Sequence, residues 1–299
     1  MSTWFRRVSL FVVTNLAVLL LLGFVIRFLG IDVWLTRSSG LDFASLLVFS
    51  AVFGFAGSLV SLALSKAMAR WSTGARIIVE PRSHGEIWLV DTVRRLAGRA
   101  GIGTPDVAVY PSPDPNAFAT GARRDHALVA VSTGLLESMP PREVEAVLAH
   151  EISHVTNGDM VTLTLLQGVL NTFVIFLSRL VGFLVDQALF RSDSRSRIGP
   201  GYWITSLVLQ VLLGLLASMV VMAYSRRREF RADEGAARLA GAGAMIEALQ
   251  TLGRVHEPAA LPRGMRAFGV RGGGVFRLLA SHPPIEARIA RLRQLAGQA

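Results

Sequence analysis

Residues 143–159 read EVEAVLAHEISHVTNGD, and inside them His150, Glu151 and His154 make an H-E-x-x-H pattern. On a helix, side chains four apart share a face, so both imidazoles reach a single metal ion. Glu151 lies about 100° further round, close enough to touch a water on that metal without taking a ligand position. Zinc is the expected ion. It accepts neutral imidazole nitrogen, and a catalytic site gives it three protein ligands with a fourth position for water. The neighbouring carboxylate is then the general base. The surroundings read as a helix: Pro140-Pro141-Arg142 punctuates the start, Glu143 and Glu145 stand in the first turn, and VEAVLA supplies an apolar face. The alternative is two surface histidines on an ordinary helix.

Outward from this stretch, the composition is that of a membrane protein with a modest soluble part. The chain has 299 residues, 52% of them hydrophobic and 17% charged, with a mean hydropathy of +0.47. Net charge is 31 − 21 = +10. The basic residues gather beside apolar segments (Arg6-Arg7, Lys66 to Arg76, Arg226 to Arg231), as cytoplasmic anchors do, and no aromatic–basic interleaving suggests a nucleic-acid surface. With no cysteine there is no disulfide, thiolate ligand or Cys nucleophile, so a metal must sit on His and carboxylate.

Four apolar segments are long enough to span a bilayer: Val8 to Leu29, Phe43 to Ser65, Met160 to Phe190 and Trp203 to Tyr224. The first is too long for a signal peptide and lacks a small-residue cleavage site. In the second, Gly54 and Gly57 offer close helix approach. In the third, Gln167, Asn171 and Arg179 either line a polar path or act as interhelical glue with one snorkelling arginine, and Asp186 is expected to face protein. Four spans with both termini and the soluble parts cytoplasmic fit the arginine clusters best, although Arg191 to Tyr202 weakly opposes an outside loop. The expected organisation is spans in 1–65, a soluble part in 66–159, spans in 160–224, and a second soluble part in 225–299.

In the soluble parts, Glu86 to Gly98 has helical periodicity and stops at glycine. Asp106 to Tyr110 and Ala127 to Val131 read as strands, with Asn116 to Thr120 a third. SRRREFRADEGAARLA (225–240), Met245 to Leu252 and Phe276 to Gln298 read as helical, the last broken by His282-Pro283-Pro284, with a loop over Pro258 to Gly274. Gly272 to Gly274 lacks the G-K-[ST] ending of a phosphate loop. A zinc held by two histidines needs a third protein ligand, and Glu229 is the best candidate, with Asp233 one turn on to orient a ligand histidine. A capping or salt-bridging acid among arginines is an equal reading of the spacing. His154 is six residues before Met160 and Glu229 five after Tyr224. Unbroken helices would hold both within roughly 10 Å of the membrane boundary. A metal more than ~20 Å from the bilayer plane would remove that expectation.

Taken together, HEISH, NGDM, SRRREFRAD, PNAFATG, GARRD and SHPPIEARI resemble the HtpX family of membrane-bound bacterial heat-shock zinc metalloproteases. These are gluzincins related to the CAAX prenyl endoprotease, and the likeness runs over nearly the whole chain. The resemblance implies an α-helical integral membrane protein with a mainly α, α+β zincin-type metallopeptidase domain carrying a small sheet. It implies one Zn2+ on His150, His154 and Glu229, Glu151 as base, and Asp233 behind the ligands. It places His282 and Arg288 near the site, where they could donate to a developing oxyanion. It makes Asn116, Ala117, Phe118 and Ala119 an edge strand for an extended peptide. The implied activity is endoproteolysis of misfolded or damaged membrane proteins at the cytoplasmic face of the bacterial inner membrane. His84, His126 and His256 are expected at the surface. The rival readings are a scaffold with structural zinc, for which Glu151 would have no use, a prenyl-type processing protease, and a transporter, which four spans without an internal repeat disfavour. Neither preferred cleavage sites nor oligomeric state follow from the sequence.

Overall fold

The computed structural model describes residues 42–190, 199–255 and 281–297. The segment 8–29, most of the Arg191 to Tyr202 loop and the Pro258 to Gly274 loop lie outside them. Among the described residues, three helices are long and apolar enough to cross a membrane: α1 (Phe43–Thr73), α5 (Asp159–Phe190) and α6 (Pro200–Ala240). The chain divides into two compact units. One draws on the chain up to Ser61 and on Thr162–Val221, the other on Leu62–Val161 and from Met222 onward.

The first unit is helix on helix, and small residues set the spacing. A Cβ built on Gly54 would strike Thr172, and one on Gly168 would lie 2.9 Å from the Phe55 ring. Gly57, by contrast, faces open space, so only Gly54 of the expected pair mediates close approach. Phe43 meets Phe176 edge-on with ring centroids 5.0 Å apart. Asn171 accepts from Gln167 at 2.9 Å and lies 3.5 Å from Ser58 Oγ, while Arg179 lies over the Phe49 ring at 4.8 Å. The Asn171 and Arg179 contacts join α1 to α5, and Gln167 and Asn171 also line a recess of about 330 Å³ with Ser58, Ser61 and Thr164, so both readings of these residues have a counterpart. Asp186 is buried and accepts from the backbone N–H groups of Gly199 and Tyr202, capping the start of α6. Val52, Phe53, Leu207 and Val211 remain more than half exposed, an apolar surface of the kind that lipid covers.

The second unit is built on a four-stranded sheet of order β1-β2-β4-β3, with β1 Arg76–Ile77, β2 Asp106–Tyr110, β3 Ala117–Thr120 and β4 Leu128–Ser132. Strand β2 runs parallel to β4, whereas β1 and β3 pair antiparallel at the two edges. The apolar residues LVAV of β4 are buried on both faces, as a central strand requires. On one face α2 (His84–Ala100) and α4 (Pro141–Asn157) pack through Leu89, Val93, Leu96, Leu148 and Ile152 onto Val129 and Val131. Helices α7 (Ala242–Val255) and α8 (Ile285–Ala296) close the same core with Leu249 and Leu292. Each such fully buried leucine contributes on the order of 2 kcal/mol.

Helix α2 runs through Gly98 and ends at Gly101, whose φ of 68° puts it in the left-handed region where glycine costs least. At the other end Ser83 caps it by accepting from the Glu86 N–H. The short α3 (Thr133–Ser138) follows β4 directly, its first turn capped by Ser132. The fourth strand begins one residue later than the β-branched run suggests. The stretch 225–240 is helical as expected and continues α6 without a break.

Candidate active site

Pro141 opens α4 at its first turn, where a missing N–H costs nothing, and Glu143 complements the dipole. The helix ends at Gly158, with φ 67°, so that α5 starts afresh at Asp159. That left-handed break has a chemical result. It turns the Asp159 carboxylate back onto the ligand helix, where its Oδ2 lies 2.7 Å from His154 Nδ1. The sequence reading missed Asp159, although NGDM carries its signal: a helix-stopping glycine followed by an acid.

His150 and His154 are buried on one face of α4. Their Nε2 atoms face each other at 3.1 Å. Glu229, fully buried on α6, lies between them, with Oε1 3.3 Å from His154 Nε2 and Oε2 3.4 Å from His150 Nε2. One turn on, Asp233 Oδ1 is 3.0 Å from His150 Nδ1. Both outer ring nitrogens therefore face carboxylates, which fixes them as the protonated ones in a neutral imidazole. The two inner nitrogens then present lone pairs, and so does Glu229 Oε1, which is buried and accepts no hydrogen bond. Three acceptors converge with no donor among them, and a cation satisfies all three. Ligands of a tetrahedral ion bound at about 2 Å stand about 3.3 Å apart, close to the separations seen. Among the described residues, His150, His154 and Glu229 form the one cluster with this geometry.

The electrostatics agree. Burial pulls His154 toward its neutral form, but hydrogen bonding to Asp159 and Glu229 prevails and raises its pKa to about 9. His150 is likewise pushed up, its burial outweighed by Asp233 and Glu229. Burial opposes ionisation of Glu229, yet the close imidazoles of His150, His154 and His282 hold it far below the usual carboxylate range. Asp233 is buried too and is held low by Arg288 and His150. Without a metal, this cage collects protons where the ion would sit.

The remaining expected residues fall into place around the cage. Glu151 is half-buried and lines a cleft of about 280 Å³ with His150, Glu229, His282, Arg288 and Asn116. His282, largely exposed, sets its Nδ1 2.8 Å from Glu229 Oε2. Arg288 is buried and grips both oxygens of Asp233, through Nε at 2.8 Å and Nη2 at 2.6 Å. Its Nη1 is 3.8 Å from Glu229 Oε2. The guanidinium is thus committed to Asp233, and through it to His150. Strand β3 packs on α4 and begins at Ala117. Asn116, just before the strand, is held by Ser132, whose Oγ accepts from its N–H while the Ser132 N–H donates to the Asn116 carbonyl, both at 2.9 Å. Phe118 turns to the opposite face of the sheet against Tyr110, with ring centroids 5.6 Å apart. Ser132 is a second residue that the sequence reading missed, with nothing in a β-branched run to mark it.

Residues 83–296 match the model described as Peptidase family M48. The chain belongs to peptidase family M48. A "Protease HtpX homolog" of Chlorobium limicola is 57% identical over 289 residues, spanning 96% of this chain and 98% of the relative. The "Protease HtpX" of Nitrosococcus oceani is 56% identical over 293 residues, 96% of this chain and 98% of that one. The fold is shared with a solved structure, the S. mikatae Ste24p, at a TM-score of 0.60 and 18% identity, covering 95% of this chain and 67% of that one. The M48 chain described here is accordingly a membrane-bound metallopeptidase, and the resemblance carried by HEISH and its companion motifs holds over nearly its full length.

Proposed function

We propose that the ion is zinc, one per chain, held by His150, His154 and Glu229, and that the enzyme cleaves misfolded or damaged membrane proteins. The observation that carries the zinc reading is the convergence of two imidazole Nε2 atoms and the buried, otherwise unbonded Glu229 oxygen. Two nitrogens and one carboxylate make a borderline donor set that suits zinc better than the all-oxygen sets of magnesium or calcium. When bound, the ion supplies Lewis-acid chemistry toward water and the scissile carbonyl.

The chain's own residues do the rest. Glu151 takes the proton of the attacking water on its carboxylate and returns it to the departing amine nitrogen. His282 stands at the open side of the cleft with Nδ1 turned to Glu229, and as the imidazolium it donates from Nε2 to the carbonyl oxygen as charge develops. Asp159 and Asp233 hold the ligand rings in their tautomer, and Arg288 fixes Asp233, which makes Arg288 a positioning residue in this reading. Backbone of the Asn116–Ala119 segment aligns an extended peptide across the cleft. The chain is divided into spans at 1–65 and 160–224 and soluble parts at 66–159 and 225–299. The arginine clusters favour a four-span topology in a bacterial inner membrane with the catalytic part cytoplasmic.

The deciding experiment compares wild type with Glu151→Gln on an unstructured membrane-anchored reporter in detergent, with zinc content measured in each. One zinc in both and a cleavage rate lower by about 10²-fold or more in the variant is the expected result. Loss of zinc from the variant would mean that Glu151 is a ligand, and equal cleavage would remove it as the base.

A further inference from the structure

We propose that the catalytic unit carries a second site, a cleft that binds a phosphate-bearing anion on the side of α4 roughly opposite Glu151. Positions 153, 156 and 157 lie there at 100° per residue. The cleft holds about 340 Å³ and is walled by Ser153, Thr156 and Asn157 of α4, Arg99 of α2, and Arg231 and Arg238 of α6. None of its lining residues is acidic.

Arg99, Arg231 and Arg238 line this recess as exposed side chains of like charge, and an anion bound there offsets their mutual repulsion. Other arginines of this unit have carboxylate partners, among them Arg76, Arg94, Arg95, Arg142, Arg288 and Arg291. In the cleft, only Arg231 comes near an acid among the described residues, 3.7 Å from Asp159 Oδ1. Arg99 spends one Nη2 contact, at 3.5 Å, on the Arg238 carbonyl, which ties the two arginine-bearing helices together at the recess. The two hydroxyls are turned inward, Ser153 donating to the Ala149 carbonyl and Thr156 to that of Ile152. The recognition chemistry is therefore that of the guanidinium fork. Forks reaching in from two helices fit a centre with three or more acceptor oxygens, a phosphate, better than a planar carboxylate.

Such a group comes from free phosphate or from a phospholipid headgroup, and a calorimetric titration separates the two. Full-length protein in uncharged-detergent micelles is titrated with inorganic phosphate and, separately, with phosphatidylglycerol in the same micelles. Wild type is compared with Arg238→Gln and with the Arg99→Gln/Arg238→Gln double variant, with melting temperatures recorded for each. The expected result is one saturable site, weakened about 10-fold by the single change and further by the double one, at unchanged melting temperature. Saturation by phosphate alone assigns a free ligand; saturation only by the lipid assigns a headgroup. No saturation with either, or saturation that the folded single variant leaves unchanged, overturns the proposal. The readout is binding, so it stands apart from the peptidase reading.

Discussion

Replacing Asp233 by Asn tests the inner frame of the metal site. The carboxylate is 1% exposed and receives Arg288 at 2.6 and 2.8 Å and His150 Nδ1 at 3.0 Å. An amide keeps one acceptor and turns an N–H₂ toward one of these donors, leaving the buried guanidinium only the more distant Glu229, 3.8 Å away, as counter-charge. Breaking a buried pair from one side costs about 3–5 kcal/mol. For a unit of this size each kcal/mol lowers the melting temperature by about 2–4 °C, so a fall of roughly 6 °C or more is expected. Metal affinity should drop about 10–100-fold, because His150 loses the partner that sets its tautomer. Thermal melting in detergent and a chelator-competition titration read the two effects. Adding Arg288→Met removes the orphaned charge, so the double variant should be less destabilised than the sum of the singles by about 2 kcal/mol. If Asp233→Asn melted within about 2 °C of wild type and bound metal as tightly, the ion pair would not be what holds His150.

Two further outcomes follow from the same geometry. His154 in the metal-free protein has its pKa raised from 6.5 to about 9, so its stabilisation is fully present below pH 6.5 and lost as pH rises through about 9. The melting temperature of chelated protein should fall across that window, and metal, by taking the place of the protons, should flatten the fall. Ser132→Ala removes the oxygen that accepts from Asn116 and Leu135 and donates to the Asp114 carbonyl. It should cost about 1–3 kcal/mol and raise KM for an extended peptide with little change in metal content. An unchanged KM would separate Ser132 from the strand's role.

Much of this was legible because it rests on periodicity and on one rigid spacing. H-E-x-x-H fixes two ligands by helix geometry alone, and the three apolar runs among the described residues mark themselves by length. Glu229 was a different matter. It lies 75 residues from His154 (229 − 154), and its spacing to Asp233 serves a salt bridge as well as a ligand pair; only the packing of α6 on α4 decides. Where a Cβ on Gly235 would strike Ser153, the reason for that packing is visible: a missing side chain lets the two helices close together. Arg288 shows the limit. Sequence places it near the reacting oxygen but does not tell that Nε and Nη2 are taken by Asp233 while Nη1 is left 3.8 Å from Glu229 Oε2 at the cleft. For Asp159 the glycine-then-acid signal in NGDM marks a helix break with an acid after it, while the partner, His154 on the preceding helix, shows only in the fold.

The outer edge of β3 has no strand beside it among the described residues. A ladder forms only with a backbone whose own N–H and C=O groups are free, and a four-residue strand is matched by roughly 13 Å of extended chain. A folded protein has already spent those groups on itself. Were substrates to add at this edge, as proposed for the Asn116–Ala119 segment, selection would fall on the loss of order in the guest: a chain would become eligible for cutting by coming undone, whatever its sequence, and regain immunity by refolding.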